Sequence, residues 1–141
     1  MKDFLDTSVL IATFYGEHEH HEASFELFLR SKKQTACTAA HSLAEVYSVL
    51  TGMPGKDRAS PDEALLFIGD IRDRLSVVYL EEEEYAQMLK ASAGTGVIGG
   101  SIYDAILGRC AIKAGAKALY SWNVKHFKRL GPEIAGLVRT P

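Results

Sequence analysis

The chain has 141 residues, 47% of them hydrophobic and 24% charged, with a formal net charge of −2. That length supports one compact domain over residues 1–141, and the near-neutral balance argues against a protein that coats nucleic acid through global basicity. No apolar run reaches the roughly 18 residues of a bilayer span and the first residues lack the pattern of a secretory signal, so a soluble, cytoplasmic protein with no membrane partner is expected.

A strand-like run from Lys2 to Leu5 stops on Asp6, and a helical pattern from Ser8 to Tyr15 begins at once and ends at Gly16. A second helical run, His21 to Lys32, gathers Ala23, Leu27 and Phe28 on one side. The second strand is read at Gln34 to Thr38, followed by a helix from Ala39 to Leu50 whose Leu43, Val46, Tyr47 and Leu50 form an apolar stripe. Gly52 and Pro54 end it. After a polar connection, Ser60-Pro61-Asp62-Glu63 supplies an N-cap, a first-position proline and a capping acid, so a fourth helix starts near Pro61. A third strand spans Ser76 to Leu80. The Glu81 to Glu84 run then opens a helix at the end where the macrodipole favours anions, which requires no ligand.

Helical runs at Glu82 to Ala93 and Ile102 to Ala114 flank the glycine-rich stretch Gly94 to Ser101, read as a mobile loop. It spells GxGxxG, but a dinucleotide fingerprint must follow a strand, and here a helix precedes it. A fourth strand, Lys117 to Ser121, and a short helix at Asn123 to Lys128 complete the reading. Strands alternating with helices predict an α/β fold with a mainly parallel sheet of four to five strands. Cys37 and Cys110, in a strand-like and a helix-like run, read as buried reduced thiols. His18, His20 and His21 fit no compact zinc spacing and read as a solvated interhelical turn.

In a parallel sheet, helices begin at the edge where strands end, and ligands bind there in open α/β folds. Asp6 ends the first strand, Glu45 and Asp104 lie in the first turns of their helices, and Ser121 to Asn123 follow the last strand. Three acids gathered on one rim would repel one another without a cation between them, and carboxylates suit a hard ion such as Mg²⁺ or Mn²⁺. Each acid also has a structural reading. Ser42-x-x-Glu45 and Ser101-x-x-Asp104 match capping boxes. Asp6 could cap the first helix, although Thr7 and Ser8 are available for that task. Gly108 and Ala111 are expected to leave room beside the Asp104 carboxylate.

Leu5-Asp6-Thr7-Ser8-Val9-Leu10-Ile11-Ala12, Ser42-Leu43-Ala44-Glu45-Val46-Tyr47, Tyr103-Asp104-Ala105-Ile106 and Leu119 to Phe127 together resemble a PIN-domain ribonuclease close to VapC-type toxins, almost end to end and in order. The resemblance implies a three-layer α/β/α sandwich and an acidic pocket holding Mg²⁺ or Mn²⁺. It implies hydrolysis of single-stranded or loop RNA to 5′-phosphate and 3′-hydroxyl ends. Asp6, Glu45 and Asp104 carry over as metal-site residues. It also implies a homodimer and a small antitoxin partner whose tail enters the acidic groove.

One departure is Asn123, where many members carry a further acid. Its amide oxygen can still meet a cation but adds no charge, so one well-held ion is expected, with at most a weak second. Ser121 is read as orienting a metal-bound water or as capping the short helix. His126 is read as a phosphate contact or a surface histidine, and Lys125, Lys128 and Arg129 as a local basic rim or a solvated face. Two rivals stay open. One is a non-catalytic PIN-like module that binds RNA or protein. The other, an aspartyl phosphatase, lacks its expected second acid, because Ser8 stands there.

Overall fold

The structure is a computed structural model that describes residues 2–141. Five strands, β1 (Lys2–Leu5), β2 (Ala36–Ala39), β3 (Ser76–Val78), β4 (Ala116–Tyr120) and β5 (Val138–Arg139), form one sheet in the order β3-β2-β1-β4-β5. Every pairing is parallel. Eight helices accompany it: α1 (Thr7–Phe14), α2 (His21–Arg30), α3 (Ala40–Gly52), α4 (Pro61–Arg74), α5 (Glu82–Gly94), α6 (Ser101–Lys113), α7 (Val124–Lys128) and α8 (Pro132–Ala135).

The strands alternate their side chains between two cores, as the period of two requires. Phe4, Cys37 and Leu119 enter the core shared with Met88, Ile106, Phe127 and Ile134 of α5 to α8. Leu5 and Ala36 enter the other, with Leu10, Leu27, Val46 and Ile71 of α1 to α4. The result is the expected three-layer α/β/α sandwich. Both thiols are buried and unpaired, and burial pushes each up to about 11.

Several boundaries differ from the sequence reading. β2 begins at Ala36 because a turn after α2 occupies the preceding residues, with Thr35 and Ala36 N–H both donating to Lys32 O. β3 is one of the two edge strands and stops at Val78, and the Tyr79 carbonyl accepts from Lys113 Nζ at 2.8 Å. The α8 turn and β5 were not foreseen, since four and two residues are too short to carry a period. The loop between α5 and α6 turns through left-handed Gly96 and Gly99 at φ +76° and +57°, which a side chain would resist.

The chain runs from β1 to β2 and β3 on one side, and returns to place β4 and β5 on the other. Strand order therefore reverses between β1 and β4, and in open α/β sheets the carboxyl ends of the strands at such a point are where ligands bind. Asp6 and Ser121 are the first residues beyond those ends.

Candidate active site

The β1–β4 register builds the centre of the site. Leu5 pairs with Tyr120 and Asp6 N–H donates to Tyr120 O at 3.1 Å, so Asp6 and Ser121 emerge side by side. Ser121 Oγ donates to Asp6 Oδ2 at 2.7 Å. Ser8 Oγ donates to Asp6 Oδ1 at 2.6 Å, and the Val9 N–H reaches the same oxygen at 3.2 Å. Asp6 is thus the N-cap of α1, one of the two readings open to it from the sequence, and neither Thr7 nor Ser8 takes that task. Capping does not exhaust it, because each carboxylate oxygen has more than one lone pair. Asp6 is 2% exposed. Burial pushes its carboxyl up to about 6 from 3.8, against the opposing pull of the Ser8, Ser121 and Val9 donors.

Thr7 ties this centre to α3. Its Oγ1 lies 2.8 Å from Glu45 Oε1 and 2.9 Å from Ser42 Oγ, and its single proton serves one of them at a time. Glu45 also faces His41 Nε2 at 3.7 Å, one turn back on α3. The capping-box reading of Ser42 and Glu45 does not hold. The N-cap is Ala39, without a side-chain bond, and Ser42 lies inside the helix, fully buried.

Asp104 sits in the first turn of α6, whose N-cap is Gly100, so Ser101 and Asp104 form no capping box either. The carboxylate is half-buried. Burial raises its pKa, the nearby Glu45 charge adds to the rise, and His126 opposes it from 3.5 Å. His41 and Tyr103 stack at 5.2 Å and 12°, joining the two helices that carry these acids. The room expected beside Asp104 has another use. A Cβ on Gly108 would stand 2.6 Å from Ile134 Cδ1, so the missing side chain admits α8 rather than freeing the carboxylate.

Asn123 is exposed and precedes α7 without a side-chain cap, while its N–H donates to Ser121 Oγ at 2.8 Å. Ser121 therefore links Asp6 to the α7 turn. The three histidines of the α1–α2 turn are engaged in packing. His20 stacks on Trp122 at 3.7 Å, His21 Nδ1 lies 2.8 Å from Ala12 O, and His18 Nδ1 accepts from the His20 N–H. The Glu81–Glu84 run forms a capping box on α5, and Glu84 also meets Lys113 at 2.6 Å.

The rim therefore carries oxygen donors suited to a hard cation, two of them close enough for Glu45 to raise Asp104 electrostatically. No three His, Cys, Asp or Glu side chains among the described residues stand together as a ready metal cage. Asp6, Glu45 and Asp104 would hold an ion, with Asn123 as a neutral addition. Sequence reasoning did not find the roles of Ser8, Thr7, His41 and Tyr103. Ser8 finds its acceptor in Asp6 two residues back, whereas Thr7 gains its partners only from the packing of α1 against α3.

The PIN domain family model matches residues 4–131. Ribonuclease VapC40 of Mycobacterium tuberculosis is 37% identical over 114 residues, which are 81% of this chain and 81% of that protein. The structure of VapBC2 from Rickettsia felis, bound to a DNA fragment from their promoter, aligns with a TM-score of 0.69 at 17% identity, over 100% of this chain and 99% of that one. VapC20 of Mycobacterium tuberculosis, a sarcin-ricin loop cleaving toxin, aligns with a TM-score of 0.68 at 17% identity, over 89% and 92%. At such identities the two structural likenesses speak for the fold alone.

Proposed function

Since the chain belongs to the PIN-domain family, in its VapC-type group, we propose that it is a Mg²⁺- or Mn²⁺-dependent endoribonuclease and the toxin of a type II toxin–antitoxin pair. The observation that carries this reading is the buried Asp6 carboxylate at the β1–β4 switch point, with Glu45 and Asp104 on the same rim. When bound, the ion supplies Lewis-acid polarisation of the scissile phosphate and a lowered pKa for the attacking water.

The chain's own residues prepare for that chemistry. Ser8 and Ser121 hold the Asp6 oxygens in one orientation. Thr7 steadies Glu45, and His126 offsets part of the charge at Asp104. Donors set before the reaction need no reorganisation during it.

An acidic rim is also complementary to a basic side chain of a protein inhibitor. The VapBC2 assembly and the VapC40 likeness support a small antitoxin as partner. Val49 on α3 and Leu65 and Leu66 on α4 are exposed apolar side chains consistent with a homodimer contact. One observation favours the rival non-catalytic module: the acids form no ready cage.

Incubation of structured RNAs with the purified protein in Mg²⁺ or Mn²⁺ separates the two. A nuclease cleaves, loses activity in a chelator and in Asp104→Asn, and gains thermal stability from Mn²⁺. Equal cleavage by wild type and Asp104→Asn sinks the assignment.

A further inference from the structure

A cavity of about 480 Å³ opens beside Asp104, between the α5–α6 loop and α7, within the size range of small-ligand sites. One wall is apolar, from Val97, Ile98 and Leu130, and the other is polar, from His126 and the Arg129 guanidinium. We propose that it receives one nucleotide of the RNA strand, adjacent to the scissile phosphate, with Arg129 on a phosphate and Ile98 and Val97 against the base. This rests on the ribonuclease reading above.

Two features of the cavity bear on what it could receive. Ile98 is 80% exposed, more than any other large hydrophobic side chain among the described residues. Arg129 is exposed and, like most lysines and arginines of the chain, enters no ion pair among the described residues, but unlike most of them it lines a cavity with an apolar wall. An unpaired guanidinium beside an apolar surface suits a ligand with an anion at one end and a flat apolar face at the other. A nucleotide has both.

The neighbouring cavity, about 430 Å³ between α5, α6 and α8, is a useful contrast. Its charges satisfy one another, Glu84 with Lys113 and Arg109 with Glu133. It offers no free cation to a phosphate. The cavity beside Asp104 offers Arg129, and its loop turns on Gly96, Gly99 and Gly100, where a Cβ would meet nothing within 4 Å. Bare backbone there lets a strand approach closely. A basic peptide would instead meet Arg129 as a like charge, which favours RNA over a protein tail.

The test compares wild type with Arg129→Ala, Arg129→Lys and Ile98→Ser, all at exposed side chains. Binding of fluorescein-labelled single-stranded RNA of randomised sequence is measured in chelator over a salt series, and cleavage of the same RNA in Mn²⁺. Arg129→Ala is expected to raise Kd and KM about tenfold with kcat within about twofold, as the loss of one charged hydrogen bond predicts. Its log–log salt slope should fall by about 0.7, and Arg129→Lys should restore it. Ile98→Ser should raise Kd about fivefold and leave the slope alone, since an apolar contact does not release counterions. Unchanged Kd, KM and slope in Arg129→Ala and Ile98→Ser, while wild type cuts RNA, overturn the subsite alone. Wild type that neither binds nor cuts RNA overturns the subsite together with the ribonuclease reading.

Discussion

Asp6 and Asp104 are carboxylates on the same sheet edge, but they are held in different ways. Asp6 follows a central strand, is 2% exposed, and accepts from Ser8, Val9 and Ser121 at 2.6, 3.2 and 2.7 Å. Asp104 projects from a helix, is half-buried, and meets His126, itself 57% exposed, at 3.5 Å. Strand register places the first to within a hydrogen bond. Helix packing places the second more loosely, within reach of Glu45's charge. The rim thus has one post set by strand register and two acids on helical arms, which the proposed cation would bridge.

The largest effect is expected at the post. Asp6→Asn should lower cleavage by more than the roughly 10- to 100-fold that losing a supporting partner of a ligand costs. Stability should move the other way. Because burial raises the folded pKa from 3.8 to about 6, the folded state holds the Asp6 proton more tightly than the unfolded chain. Its contribution is fullest below pH 3.8, declines as pH rises from 3.8 through about 6, and is level above that. In chelator at pH 7, Asp6→Asn should therefore be more stable than wild type by up to about 3 kcal/mol. The two should converge near pH 4, and Mn²⁺ should narrow the gap at pH 7 by stabilising only wild type. Urea titrations across pH 4 to 8 measure this, and a less stable Asp6→Asn throughout would mean the carboxylate is not strained.

Next in size is a contrast between the supports. Ser121→Ala removes the donor to Asp6 Oδ2 and the acceptor for the Asn123 N–H together, so cleavage should fall about 10- to 100-fold. Thr7→Val removes the tie to Glu45 but keeps the shape, and an adjustable acid should keep activity within about tenfold, below that range. Its cost appears in stability. Ser42 Oγ, in a fully buried residue, loses its partner at about 1 to 3 kcal/mol. A Thr7→Val activity loss equal to that of Ser121→Ala would show that both halves of the site are equally rigid.

The same division explains what was legible in the sequence. Asp6 could be placed because a strand followed at once by a helix fixes where a carboxylate emerges, and the sheet edge follows from strand alternation. The parallel sheet and the chain positions of Glu45, Asp104 and Ser121 were legible for that reason. The roles of Thr7, His41 and Tyr103 were not, because each depends on a partner at least 35 residues away or on the packing of α3 against α6, whereas the Ser8 bond to Asp6 is local and was open to sequence reasoning. Capping boxes misled at Ser42 and Ser101, where the helices begin before the expected cap or without one. β5 and α8 escaped because two and four residues hold barely one repeat of the strand or helix period, too little to show a pattern. Gly108 was read as space for the neighbouring acid, when it is space for a helix much later in the chain.

Gly108 gives the smallest expected effect and the most direct check on how independent the arms are. Gly108→Ala places a Cβ 2.6 Å from Ile134 Cδ1, the far end of a flexible side chain. Ile134 lines the cavity of about 430 Å³ beside α5, so that methyl has somewhere to turn. An off-rotamer cost of about 0.5 to 1.5 kcal/mol opposes a gain of about 0.8 to 1 kcal/mol from replacing glycine inside a helix. The net change in stability should lie within about 1 kcal/mol of zero. Asp104 stands one turn away toward the rim, and cleavage should be unchanged. If Gly108→Ala instead lowers cleavage more than tenfold at constant Tm, α8 sets the position of α6. Asp104 would then be held through helix packing as firmly as Asp6 is held through strand register.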